Sequence, residues 1–176
     1  PNKEKDMQWE DEYGKGDNYP AYRISYNEVE TFIGKLNEYT GLRFSLPTEA
    51  QWEYAAKGGK DTYYSLYAGG GDVLEVAWIK SGSIYDINKC SEVGKKNANG
   101  LGLYDMSGNV WEMCNNWYYD YKDVCDTITS GEDYTGYKVF RGGSWNTNAQ
   151  QARVTARYKQ GIHYRDYNTG FRLVIE

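Results

Sequence analysis

The chain has 176 residues, of which 40% are hydrophobic, 26% are charged and only 3 are Pro. A single domain of this size buries about 70% of its unfolded surface, so a disordered chain and a staple-dependent miniature are both excluded. A net charge of −5, from 20 Lys plus Arg against 25 Asp plus Glu, argues against a broad phosphate-binding face and so against nucleic acid as a partner. Apolar runs are a few residues long, far below the roughly 20 needed to span a bilayer, and no charged-then-apolar leader opens the sequence.

Residues 1–23 are polar and without period, which predicts a loop with Trp9, Tyr13 and Tyr19 as anchors. Residues 1–24 read as an N-terminal extension or the truncated start of a domain, and 25–176 as one domain. At Ser25 and Glu28 a capping-box pair opens a run in which Val29, Phe32, Ile33 and Leu36 recur at helical spacing up to Gly41. A second helix is predicted from Thr48, with Gln51 as the replying residue, Trp52, Ala55 and Ala56 inward, and Gly58 as the stop.

Beyond Gly59 the glycine clusters at 69–71, 81–83 and 99–100 punctuate short apolar pieces, which predicts loops and short strands. Strands are expected at Tyr137–Phe140, Ala152–Ala156 and Phe171–Ile175. Two helices followed by short strands and long loops imply an α+β fold. Loops of this length in a compact domain usually carry ions, ligands or lids.

Few residues offer hard catalytic chemistry. Cys90, Cys114 and Cys125 have no CxxC spacing, and the single His163 cannot build a His-rich metal site. Cys114 reads as a small buried hydrophobe, and neither it nor His163 lies in a triad-like motif. Arg141, Arg157 and Arg172 read as forks that hold loops through carboxylates or carbonyls. The outstanding counts are 19 Tyr, 6 Trp and 20 Gly, a mixture suited to contacts made by rigid amphipathic rings set in loops.

Four ordered motifs carry a resemblance: GLRFSLPTEAQWEYAAKGG at 41–59, NANGLGLYDMSGNVWEMC at 97–114, FRGGSW at 140–145 and GFRLV at 170–174. Together they resemble the formylglycine-generating-enzyme-like family over roughly residues 20–176. The resemblance implies a modified C-type-lectin fold with little regular secondary structure. It also implies a copper-binding cysteine pair after the GGS turn, for which thiolates are the soft ligands. The matching positions are Thr147 and Ala152, and no Cys follows Cys125, so the expectation is no copper and no oxidase. Ser144 and Trp111 match residues of the enzyme's oxygen pocket and are read as turn and packing residues. A structural calcium is implied at Asp105, Gly108, Val110 and Glu112, where hard oxygen donors sit on a tight turn. A second calcium is not implied, because Ala77 stands near where an Asn side chain is expected.

The segment 145–169 differs in chemistry from its frame. Retroelement-diversified variable proteins resemble this family in fold and place adenine-mutagenised codons between GGSW and GFR. Residues compatible with that origin are Asn146, Thr147, Asn148, Tyr158, Ile162, His163, Tyr164, Asp166, Tyr167 and Asn168. With Trp145 they form the expected ligand-binding set, in which Trp145, Tyr158, Tyr164 and Tyr167 are the aromatic anchors. The expected function is a non-catalytic domain binding a protein or cell-surface ligand, displayed on a phage or cell surface. The alternatives are a fixed extracellular assembly module of the same fold and, less favoured, an oxidase.

Overall fold

The computed structural model describes residues 11–60, 65–83, 86, 88–120 and 136–175. Trp9 and Cys125 lie outside the described residues. A 3-10 turn at Asp11–Tyr13 leads to α1 (Tyr26–Thr40), β1 (Phe44–Ser45), α2 (Glu49–Ala56) and the one-turn α3 (Val73–Val76). The strands β2 (Trp111–Trp117), β3 (Tyr137–Arg141), β4 (Arg157–Gly161), β5 (Thr169–Gly170) and β6 (Val174–Ile175) follow.

Both helices begin and end where local chemistry dictates. The Glu28 carboxylate accepts from the Ser25 backbone N–H at 2.9 Å and its hydroxyl at 2.6 Å, and Gly41 closes α1 in the left-handed conformation. Thr48 and Gln51 exchange both bonds of the second capping box. The inward face of α1 is carried by Tyr26, Val29 and Ile33. Phe32, predicted inward, is 44% exposed and packs edge-on to Phe171, because Tyr26 at the first position turns the buried stripe away from it.

The main sheet has the order β4-β3-β2-β5, antiparallel except for the β2–β5 pair. Strand alternation divides its residues between two cores. Trp111, Met113 and Phe140 meet α1, whereas Cys114 and Val139 meet Trp52 and Ala56 of α2. A bulge between Met113 and Trp117 lets Asn116 reach the first turn of α2, where its Oδ1 accepts from the Glu49 N–H at 2.7 Å. A second, two-stranded sheet pairs β1 with β6.

Two strand expectations are corrected. Ala152–Ala156 is a series of turns with bonds such as Ala156 N–H to the Arg153 carbonyl at 2.9 Å, and the strand begins at Arg157. Ala152 and Val154 are buried because the turns press them inward, which imitates strand alternation. Within Phe171–Ile175 only Val174–Ile175 is strand, since the segment crosses from the parallel pairing of β5 to the second sheet. Residues 11–24 pack on the rest of the domain: Tyr22 is buried with Cys90 and Val110, and the Cys90 N–H donates to the Tyr13 carbonyl.

Candidate functional site

Three motif segments meet at one junction. The Gly108 N–H donates to the Gly142 carbonyl at 2.8 Å, the Asn109 N–H to Trp78, the Trp145 N–H to Asn109, and the Trp111 N–H to Asn168 at 2.7 Å. The Ser107 hydroxyl donates to the Ala152 carbonyl at 2.8 Å and accepts from the Ala68 N–H. These bonds satisfy buried backbone groups that no regular ladder serves.

Charged side chains lock the junction from below. Arg172 grips Glu112 with Nε and Nη2, each at 2.6 Å, while Trp52 Nε1 donates to the same carboxylate at 2.6 Å. Burial opposes the Arg172 charge, but the Glu112 carboxylate outweighs it and holds the pKa above its ordinary value. Arg141 is fully buried, bonded to Glu53 and to the Ala156 carbonyl, and Arg157 holds Glu49 at 2.6 and 2.8 Å and the Tyr119 carbonyl at 2.9 Å. All three arginines therefore hold loops as the sequence predicts.

At the positions matching the copper ligands, Ala152 has no exposure and Thr147 is 7% exposed. The Thr147 hydroxyl accepts from the Ser144 N–H at 2.8 Å and donates to the Ser144 carbonyl at 2.9 Å, and its carbonyl accepts from Lys80. Thr147 is thus a turn residue, which corrects its place among the exposed contact residues. Ser144 and Trp111 are buried. The described thiols, Cys90 and Cys114, are also buried, and desolvation pushes Cys90 up to about 11 and Cys114 higher still. Such thiols carry almost no thiolate at neutral pH.

In the calcium-like loop Asp105 adopts φ 57°, and its Oδ2 accepts from the Gly94 N–H at 2.7 Å. Its Oδ1 is buried without a partner, and burial raises its pKa. Among the described residues no group of three or more His, Cys, Asp or Glu gathers as a metal site. A site here would depend on Asp105, on backbone carbonyls of Gly108 and Val110, and on the lone-pair capacity left on Glu112 Oε1, which among the described residues accepts only from Arg172. The orphaned Asp105 oxygen fits a hard cation, and Glu112 would share its charge with Arg172.

The remaining predicted contact residues divide into two groups. Trp145 and Tyr167 turn inward. The Tyr167 ring stacks on Tyr13 at 3.8 Å, Arg23 lies 5.0 Å from its centroid, and Trp145 joins the same cluster. These two hold the segment around Tyr13, a role that needs long-range contacts no local pattern displays. Ile162 packs against the α1-side core. Asn146, Asn148, His163 and the partly exposed Tyr158 and Tyr164 face outward, with Asp166 and Asn168 half-buried beside them. The loop is strapped to α1 by Arg165, which grips Glu28 at 2.7 and 2.9 Å, and by His163 beside Asn27. Asn168 Nδ2 donates to Asn146 Oδ1 at 2.9 Å, joining both ends of the segment.

Comparison with known proteins places this architecture. The model of the sulfatase-modifying factor enzyme 1-like domain matches residues 2–176. The formylglycine-generating enzyme of Streptomyces coelicolor is 32% identical, over 88% of this chain and 52% of that protein. Chaperone protein LppX of Paenibacillus barcinonensis is 30% identical, over 74% of this chain and 49% of that protein. The chain thus spans about half the length of these relatives. Among solved structures, Treponema denticola variable protein 1 has a TM-score of 0.74 at 28% identity, covering 91% of this chain and 72% of that one. PvdO from Pseudomonas aeruginosa has a TM-score of 0.79 at 26% identity, covering 93% of this chain and 64% of that one. The fold is the α+β, C-type-lectin-like architecture of these proteins.

Proposed function

We propose that this chain, which belongs to the sulfatase-modifying factor enzyme 1-like domain family, is a ligand-binding domain without the family's oxidase chemistry. The observation that carries the reading is the pair of buried, non-thiol residues Thr147 and Ala152 at the copper-ligand positions. Around them an intact frame presents an outward strip of Tyr, Asn, His and Asp. Function follows the site and not the fold. The similarity to a variable protein of Treponema denticola supports the reading.

The finer proposal is that codons 145–169 are diversified from a template by adenine mutagenesis. Sequencing the 3′ end of the gene across isolates is expected to show differences at adenines of a near-identical repeat. They should fall on the outward residues Asn146, Asn148, Tyr158, His163 and Tyr164 and on the half-buried Asp166 and Asn168 beside them, and spare Trp145, Thr147 and Tyr167, whose side chains the fold uses. An invariant segment without a repeat would sink diversification and leave a fixed binding or assembly domain. Stoichiometric Cu(I) binding with oxygen consumption would overturn the non-catalytic reading itself.

A structural calcium at Asp105, Gly108, Val110 and Glu112 is proposed alongside. Bound there, the ion would neutralise the charge that Asp105 carries in a desolvated position. Calcium is expected to raise the Tm of the wild-type chain and leave that of Asp105→Asn unmoved. Equal responses of the two proteins to calcium and to magnesium would remove the site.

A further inference from the structure

The outward strip contains a cluster whose chemistry narrows the ligand. On β4 and the following loop, Tyr158, Gln160, Tyr164 and Asp166 form two neighbouring hydrogen-bonded pairs. The Tyr158 ring is stacked on Trp111 at 5.0 Å and 22°, so it is held in one orientation while 39% of the residue remains exposed. Gln160 Nε2 donates to the Tyr158 hydroxyl at 3.4 Å. Tyr164, 43% exposed, donates its proton to Asp166 Oδ2 at 2.8 Å. Asp166 Oδ1 accepts from the Tyr167 N–H at 2.7 Å.

Acceptors outnumber free donors in the cluster. The Tyr164 proton is directed to Asp166 and one Gln160 amide proton to the Tyr158 hydroxyl, which keeps its own O–H as a donor; a partner meets the remaining lone pairs of Asp166, the carbonyl of Gln160 and the two electron-rich rings. Among the described residues no Lys or Arg forms an ion pair with Asp166. Neighbouring Arg165 is committed to Glu28, and Lys159, on the opposite face of β4, lies over Tyr118 and Tyr137. Elsewhere the molecule seats its own guanidinium groups on rings, Arg23 over Tyr167, Arg157 over Tyr118 and Arg141 over Trp52.

We infer that Tyr158, Gln160, Tyr164 and Asp166 form a preorganised seat for a guanidinium, the arginine side chain of a partner protein. A planar, donor-only cation complements two rings, an amide carbonyl and a carboxylate. A neutral sugar would bring no charge to the Asp166 carboxylate. The inference rests on the proposed reading of this strip as a binding face and names the class of group it takes.

The test uses the whole chain, 15N-labelled, titrated with the blocked peptide Gly-Arg-Gly, its citrulline counterpart and methyl α-mannoside. The arginine peptide is expected to shift saturably the Gln160 side-chain amide and the backbone amides of residues 158–167. It should bind about tenfold more tightly than the citrulline peptide, a difference of about 1.4 kcal/mol, and more weakly as salt is raised. Asp166→Asn, which keeps an acceptor for the Tyr167 N–H, should lose that tenfold preference with an unchanged Tm. Tyr158→Phe should retain it, because the ring remains.

Equal binding of the arginine and citrulline peptides overturns the inference, as does an arginine peptide that moves none of these resonances. If mannoside alone shifts them, the binding face stands and the cationic ligand falls. If arginine binds as expected while the codons prove invariant, diversification falls and the guanidinium seat stands.

Discussion

Gly108→Ala is expected to destabilise the domain by about 4 kcal/mol or more, among the largest effects a single methyl group can have. Gly108 has φ +78°, and a Cβ built on it would press on the Trp78 carbonyl oxygen and lie 2.7 Å from the Trp78 nitrogen. Both are backbone atoms, fixed by the bridge between Trp78 and Gly108 and by the Asn109 N–H bond to the Trp78 carbonyl. No rotamer change relieves the clash. Against a total stability of about 5–15 kcal/mol such a loss leaves little folded protein. Gly102→Ala is the control: its φ is +74°, but beyond its chain neighbours no atom of the described residues lies within 4 Å of the added carbon, so only the left-handed conformation is penalised, by about 1 kcal/mol. Urea unfolding followed by tryptophan fluorescence measures both. Equal midpoints would show that the Trp78 backbone can move aside and that the junction is softer than described.

The second large effect is expected at Glu112→Gln, which removes the carboxylate charge from under Arg172 while keeping the shape of the side chain. Breaking one partner of a buried ion pair typically costs about 3–5 kcal/mol, because the other charge stays desolvated without compensation. A value near 3 kcal/mol is expected, since Arg172 also donates to the Tyr104 carbonyl at 3.1 Å. The double variant Glu112→Gln with Arg172→Met should be more stable than the single, because no unpaired cation then remains. Urea midpoints of the four proteins form the cycle, and strict additivity of the two losses would mean that the pair is not coupled.

Some of the molecule was legible in the residues themselves. The ends of α1 and α2 follow from contacts three or four residues apart, so Ser25, Glu28, Gly41, Thr48 and Gln51 mark them without knowledge of the fold. The loop-holding arginines were legible too, because a guanidinium in a loop-rich chain needs carboxylates and carbonyls. Strand β2 was not. Its residues Trp111 to Cys114 are buried on both faces and Asn115 and Asn116 form the bulge, so the segment lacks the alternation that marks a half-exposed strand. Ala152–Ala156 shows the opposite failure, with buried apolar side chains supplied by turns.

The contact set divides along the same line. Residue types in 145–169 pointed to an aromatic and polar binding loop, and the substitution of both cysteine positions was visible from spacing after the GGS turn. Which of those residues face outward depends on partners far away in the chain. Trp145 and Tyr167 pack on Tyr13, with Arg23 over the Tyr167 ring, Thr147 is enclosed by the Ser144 turn and bonded to the Lys80 backbone, and Arg165 is drawn to Glu28 on α1. The sequence by itself determined the family, the ends of α1 and α2 and the absence of thiols at the two matching positions, because these reside in local caps and in residue identity. The tertiary structure alone decided which side chains remain for a ligand, because exposure is what long-range packing leaves uncovered.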